Sequence, residues 1–401
     1  MNAADGQTSD TLSRRLPRNV RLLGWASLLN DVASEAIYPL LPLFLLGLGG
    51  SRTLLGFLEG LADTTASLLK FWAGTWSDRL GRRKTFIVVG YALAGLSRPC
   101  LSGVTRLWQV FIIRLLDRIG KGVRTAPRDA MIAESTTPQD HGNAFGYHRA
   151  MDHLGAAIGP ALASLFLWWQ PDGLRALMLL SIVPGILVLV LQTTGLTETT
   201  RGPASGPLQE PFSGIPTGQF RRFLISLLFF TLANSSDAFL LVRAEELGVA
   251  AERLPLLWAM LHVLKSAGNR LGGQLADHYS PRRLIIGGWL LYAFLYFAFG
   301  SASREWHVWA LFAIYAAFYA LTEPAEKKLV AELAPKGQTG AAFGWFHTIL
   351  GIANLPSSLL FGYLYQSFGP FVAFLWGAAM AILSTAILLT MKSPRQPASN
   401  S

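Results

Sequence analysis

A short charged loop occurs twice in this chain, each time between two long apolar segments. The first copy runs from Gly74 through Asp78, Arg79, Gly81, Arg82 and Arg83 to Lys84; the second runs from Gly273 through Asp277 to Arg282 and Arg283. The two aspartates lie 199 positions apart in a chain of 401 residues. Other segments repeat at nearly the same offset. Ala144-Phe145-Gly146-Tyr147 matches Ala342-Phe343-Gly344-Trp345, and Ala133-Glu134 matches Ala331-Glu332, both 198 apart, while Pro127 and Pro324 are 197 apart. A period of half the chain predicts two copies of one structural unit.

The apolar segments set what that unit is. A membrane-spanning helix needs about 20 mostly apolar residues, and twelve stretches qualify: roughly 21–48, 54–77, 84–104, 107–133, 142–168, 174–193, 221–243, 254–276, 283–302, 306–332, 339–366 and 369–391. Several carry charges, and hydropathy alone is expected to pass over the fourth and the tenth. The composition agrees. Charged residues make up 14% and mean hydropathy is +0.37, against about a quarter charged in soluble proteins. The expected fold is an all-α membrane protein of twelve transmembrane helices in two pseudo-symmetric six-helix bundles. Residues 1–20 form an N-terminal tail, 21–194 the first bundle, 195–220 a Pro/Gly/Ser/Thr-rich linker, 221–391 the second bundle and 392–401 a tail. The net charge of +10 does not point to nucleic acid, because the basic residues gather at segment ends. With the amino terminus inside, Arg14, Arg15, Arg18, Arg21, Arg79, Arg82, Arg83, Lys84, Arg221, Arg222, Arg282 and Arg283 all fall on the cytoplasmic side, as the positive-inside rule requires. Both termini are then cytoplasmic.

The charges inside the apolar segments are the candidate functional residues. The fourth segment carries Arg114, Asp117, Arg118, Lys121, Arg124 and Arg128, at steps of three, one, three, three and four, which is one stripe on a helix. An ionised side chain facing lipid costs about 2.5–3.5 kcal/mol on the mildest scale, so the stripe must face water or carboxylates. The first segment offers Asp31 and Glu35, one turn apart. The second offers Glu59, Asp63 and Lys70, and the fifth His148, Arg149, Asp152 and His153. Buried carboxylates and histidines can take up and release protons; the alternative is a static salt-bridge network that fixes helix packing. Asp31, Arg118 and Asp152 are the strongest single candidates. The second half is expected to contribute Asp237 to the cavity, while Lys327 and Lys328 read as an interfacial anchor.

The first loop resembles the G-x-x-x-D-R-x-G-R-R/K signature between the second and third helices of the major facilitator superfamily. The resemblance implies that Asp78, Arg79, Arg82 and Arg83, with Asp277, Arg282 and Arg283 in the second copy, latch the two halves on the cytoplasmic side, Gly74 and Gly81 allowing close contact and a tight turn. Arg118-Ile119-Gly120-Lys121-Gly122 resembles the R-x-x-Q-G signature of proton-coupled members, with Lys121 in place of glutamine and Arg124 in place of a glycine. Gly155, Gly159 and Pro160 resemble the G-x-x-x-G-P part of an antiporter signature, with Ala163 and Ser164 where a glycine pair is usual. A packing face with a kink explains the same residues.

The implied function is secondary active transport by alternating access: proton-coupled efflux of drug-like compounds or metabolites, for which the aromatic-rich second half (Phe229, Phe230, Trp258, Tyr292, Tyr315, Tyr319, Trp345) also speaks. A carrier of an anionic metabolite is the alternative, argued from the basic fourth segment; a membrane receptor without transport is a third. An enzyme is not expected. Gly120-Lys121-Gly122 lacks the residues of a phosphate loop, and no nucleophile motif or metal-ligand spacing stands out. No cofactor or metal is implied, only a proton gradient as driving force. The expected partners are a small-molecule substrate and the bilayer of a bacterial cytoplasmic membrane, with the chain a monomer.

Overall fold

The computed structural model describes residues 16–50, 52–199, 216–233, 237–250, 253–335 and 337–391. The tail beyond 391, most of the amino-terminal tail and most of the linker lie outside these residues, as do the side chains of Glu59 and Asp63. The described residues form α-helices and short 3-10 turns, with no strand among them. In chain order the helices are α1 (Arg18–Ile37), α2 (Leu41–Gly47), α3 (Arg52–Leu80), α4 (Arg83–Ser97), α5 (Leu107–Glu134), α6 (His141–Trp169), α7 (Leu174–Leu180) and α8 (Ile182–Gly195). They continue as α9 (Gly218–Ala233), α10 (Ala238–Glu246), α11 (Leu254–His278), α12 (Pro281–Ser301), α13 (Glu305–Leu333), α14 (Thr339–Phe368) and α15 (Pro370–Leu389).

These helices occupy the twelve apolar segments, because three segments are broken into two helices each. Tyr38-Pro39-Leu40 forms a 3-10 turn between α1 and α2, where proline cannot donate to the helical ladder. Ser181 separates α7 from α8, and Asp237 precedes α10. Among the described residues seven stretches are long and apolar enough to cross a membrane by themselves; α13 is one of them, α5 is not, and neither are α1, α3, α9 and α11, which the expectation did not single out. The expectation that the tenth segment would be passed over is corrected. Its charges start at Glu323 and leave a clean apolar run before them, whereas those of α5 spread along the whole helix.

In the first half α1 packs on α6 and α8, and α5 on α3 and α4; in the second α11 packs on α13, and α12 on α13 and α15. The halves meet where α6 lies against α11 and α13, and where α14 lies against α3 and α5. The second half has an aromatic interior: Phe230 stacks on Trp289 at 4.5 Å and Tyr292 on Tyr296 at 4.0 Å. Large apolar side chains cover the outside, among them Leu165, Trp168, Trp169 and Phe294, as lipid requires. Gly155 and Gly159 of α6 sit on the α1 backbone at Leu28 and Val32, and α6 stays helical through Pro160. The small-residue spacing therefore seats one helix on another within the first half.

Candidate functional site

Between the halves lies a cavity of about 320 Å³ with charged walls. From the first half α1 contributes Ser27 and Asp31, α3 Lys70, α5 Lys121, Arg124, Thr125 and Arg128, and α6 Arg149 and Asp152. From the second, α13 contributes Glu323, Glu326 and Lys327, and α14 Phe346, His347 and Leu350. Among the described residues six basic side chains of the lining thus face four carboxylates.

Two ionic clusters tie the walls across the halves. Arg149 donates from Nη1 to Asp152 Oδ2 at 2.8 Å and from Nε to Glu323 Oε2 at 3.0 Å. Asp152 also accepts from Ser27, and the buried His148 stands 3.6 Å from it. Deeper lies Asp129, fully buried on α5, which pairs with Arg128 at 3.1 Å, Lys327 at 3.0 Å and His347 at 2.8 Å. Asp129 and Lys327 are 198 positions apart, the period of the internal repeat. Two equivalent positions that touch must lie near the pseudo-twofold axis, so this pair marks the axis. Ions are tolerated at such depth only when paired and hydrogen-bonded.

The upper part of the α5 stripe belongs to a different network. Asp117 accepts from Arg98 Nε at 2.8 Å and from Arg114 at 3.3 Å, and Arg98 holds Asn30 at 3.1 Å. The Arg114 and Arg118 guanidinium groups lie over the Tyr38 ring at 4.7 and 5.8 Å. Arg124 lies over Tyr91 at 4.2 Å, an arrangement that holds a cation in apolar surroundings.

The end of the molecule that carries the repeated loops, the basic end, is shut. Asp78 accepts from the backbone N–H groups of Gly340 and Ala341 at 3.0 and 2.6 Å, at the start of α14. Asp277 accepts from Gly142 and Asn143, both at 2.7 Å, at the start of α6. Each carboxylate meets the unpaired amides and positive dipole end of a helix from the other half. Arg83 joins Asp78 to Glu134, the latter at 2.8 Å, and Lys328 pairs with Asp277 at 2.9 Å. The backbones touch at glycines: a Cβ on Gly74 would fall on Gly340, and one on Gly273 on Gly142.

A family model described as Major Facilitator Superfamily matches residues 23–264 and 222–401. The chain belongs to the major facilitator superfamily. It is 31% identical over 392 residues, 96% of this chain and 97% of the relative, to an uncharacterised MFS-type transporter of Methanocaldococcus jannaschii. It is 22% identical to the multidrug resistance protein MdtH of Cronobacter sakazakii over 79% of this chain and 78% of that one. The crystal structure of the human organic anion transporter MFSD10 superposes with a TM-score of 0.80 at 16% identity, covering 92% of this chain and 99% of that one; this last likeness concerns the fold alone.

As a member of this superfamily the chain is a multi-pass membrane transporter, and its site divides the candidate residues. Asp31, Lys121, Arg124, Arg128, Arg149 and Asp152 line the cavity. Arg114 and Asp117 line a separate crevice beside Tyr38 and Arg98. Glu35 stands one turn beyond Asp31, in reach of Lys121 and Arg118. In the first loop Asp78 and Arg83 make the latch, Gly81 turns the chain at φ 61°, and Arg79 and Arg82 are exposed. In the second, Arg283 is exposed and Arg282 donates to the Leu388 and Leu389 carbonyls at 3.2 and 2.6 Å, closing the end of α15.

Two expectations for the second half are corrected. Asp237 does not line the charged cavity; it accepts from Tyr315 at 3.0 Å, Tyr319 at 2.9 Å and Lys265 at 3.4 Å inside the second bundle. Lys327 and Lys328 are no interfacial anchor, being 6% and 4% exposed and ion-paired across the halves and to Asp277. Of the seven aromatic residues, Phe230, Tyr292 and Tyr315 are buried in the core of the second bundle, whereas Phe229, Trp258, Tyr319 and Trp345 are half-buried. Asp129 and His347 were absent from the candidates altogether. Asp129 follows Arg128 directly and so reads as an ordinary alternation of sign; its place in the internal repeat, opposite Lys327, was the available signal.

Proposed function

We propose that this protein is a secondary carrier for a small anionic solute, moved by alternating access and coupled to protons. The observation that carries this reading is the cavity itself: among the described residues six cations stand against four lining carboxylates and Asp129 behind them, contributed by both halves, in about 320 Å³. A confined site with an excess of fixed positive charge concentrates anions and repels lipophilic cations. Binding sites between the two halves are the arrangement expected of this architecture. Opening and closing around the site then needs the latch of Asp78 and Asp277 to form and break at the basic end. The excess of Lys and Arg there supports a cytoplasmic position for that end, in a proposed monomer of the cytoplasmic membrane with both termini inside.

A second reading, proton-coupled efflux of drug-like compounds, draws on the name of the MdtH relative. The walls of the cavity speak for a smaller and more polar solute, and Gly155 and Gly159 are used for packing rather than as a sign of antiport. The test is transport in proteoliposomes with a panel of labelled carboxylate and phosphate anions beside lipophilic cations, with and without a pH gradient. The expected result is uptake of an anion that responds to the gradient and falls at least about tenfold in Arg124→Gln, the loss of one charge-assisted contact. Transport of cations alone, or anion transport indifferent to Arg124→Gln, overturns the anion reading.

A further inference from the structure

Where α6 and α11 run together from the basic end, their contacts climb in steps: Gly142 on Gly273, Gly146 on Asn269, the Ala150 carbonyl on Ser266, and finally His153 on His262. The last step joins one histidine from each half, Nδ1 to Nδ1 at 3.3 Å. The far nitrogen of His153 stands 3.0 Å from Glu323 Oε2, which also accepts from Arg149 Nε. A carboxylate held by an arginine is ionised and can only accept; its contact at 3.0 Å is shorter than that of the Arg149 Nη2 donor at 3.5 Å, so His153 Nε2 carries a proton directed at Glu323.

The chemistry of the pair follows from that. A hydrogen bond between two imidazole nitrogens needs one N–H and one bare nitrogen. With both rings neutral, His262 donates to His153. With one proton added, either ring is the imidazolium and the bond survives. With both protonated, two N–H groups point at each other and the bond is lost. We infer that His153 and His262 form a proton-binding site between the halves, whose double protonation releases α6 from α11 and favours opening at the basic end.

The surroundings set how that site responds. Arg149 on α6 and Lys265 on α11, the latter paired with Asp237, oppose a second proton; Glu323 on α13 favours it. Asp152, His148 and, on α1, Asp31 form the next layer, joined through Arg149. The chain Glu323–Arg149–Asp152 connects the pair to the wall of the cavity, so an anion that engages Arg149 would loosen its hold on Glu323 and change what His153 feels. This rests on the carrier reading, and it gives that reading a coupling site.

The experiment is a distance measurement on the full chain in liposomes. Cys100 is replaced by serine and spin labels are placed on Leu80→Cys and Tyr279→Cys, exposed positions at the basic end of opposite halves. Without any substrate, the ratio of separated to closed molecules is followed from pH 8 to pH 5. One linked proton changes that ratio by up to about tenfold per pH unit. The expected result is a rise of the separated form as pH falls, with a slope reduced by about one proton in His262→Gln and in His153→Gln. Either variant serves if the other fails to fold. An unchanged slope in these variants, or no pH response in the parent, overturns the inference. Because no solute is present, this outcome is independent of whether the transported solute is an anion.

Discussion

Asp129 is fully buried and gathers three side-chain partners: a neighbour on its own helix, a lysine from α13 and a histidine from α14. Its worth is best seen through what its loss leaves behind. Asp129→Asn keeps the shape and removes the charge, stranding Arg128 and Lys327 in a buried site. Breaking a buried pair from one side costs about 3–5 kcal/mol, so the melting temperature in detergent should fall sharply. Asp129→Asn with Lys327→Met should recover part of the loss, because the stranded lysine is gone. An unchanged melting temperature in the single variant would mean that the cluster is hydrated and weak. Arg124 is a different case. It lies over Tyr91 and donates to the Gly90 carbonyl at 3.4 Å, and it stands in the cavity wall with no carboxylate among the described residues within bonding distance, so its substitution should strike transport more than stability.

At the scale of elements, what closes the molecule is helix ends meeting carboxylates, with glycines permitting the approach. Two turns of α3 present Gly74 and Asp78 to the first turn of α14, and α11 presents Gly273 and Asp277 to the first turn of α6. Gly74→Leu should keep insertion and expression while abolishing transport, since the side chain would occupy the place of the α14 backbone. Asp78→Asn should cut transport with insertion intact, a cap of this kind being worth about 0.5–2 kcal/mol; transport at the parent rate in both variants would remove the latch from the cycle. The stripe of α5 was legible from spacing alone, because side chains three and four apart share a helix face. Its partition was not. The same face passes Tyr38 and Arg98 at one level and the cavity at another, and only the neighbouring helices tell those levels apart.

At the scale of the whole molecule, the repeat is geometric as well as sequential. Asp78 and Asp277 do the same work at symmetric places, and Asp129 meets its own counterpart Lys327 near the axis. The orientation proposed for this assembly is tested by labelling: Leu80→Cys in the Cys100→Ser background should react with a membrane-impermeant maleimide in inside-out vesicles and not in intact cells, and the reverse pattern would turn the molecule over. The sequence by itself determined the twelve apolar segments, the duplication, the two loop aspartates and the basic helix, because hydrophobic length, internal period and helical spacing are local properties of a chain. Only the tertiary structure decided which charges meet. It withdrew Asp237 into the second bundle, brought Lys327 to Asp129 across 198 positions and His262 to His153 across 109. The rotation of each helix about its axis, fixed by glycine contacts and aromatic packing far from the charges themselves, chooses those partners, and no spacing within one helix records it.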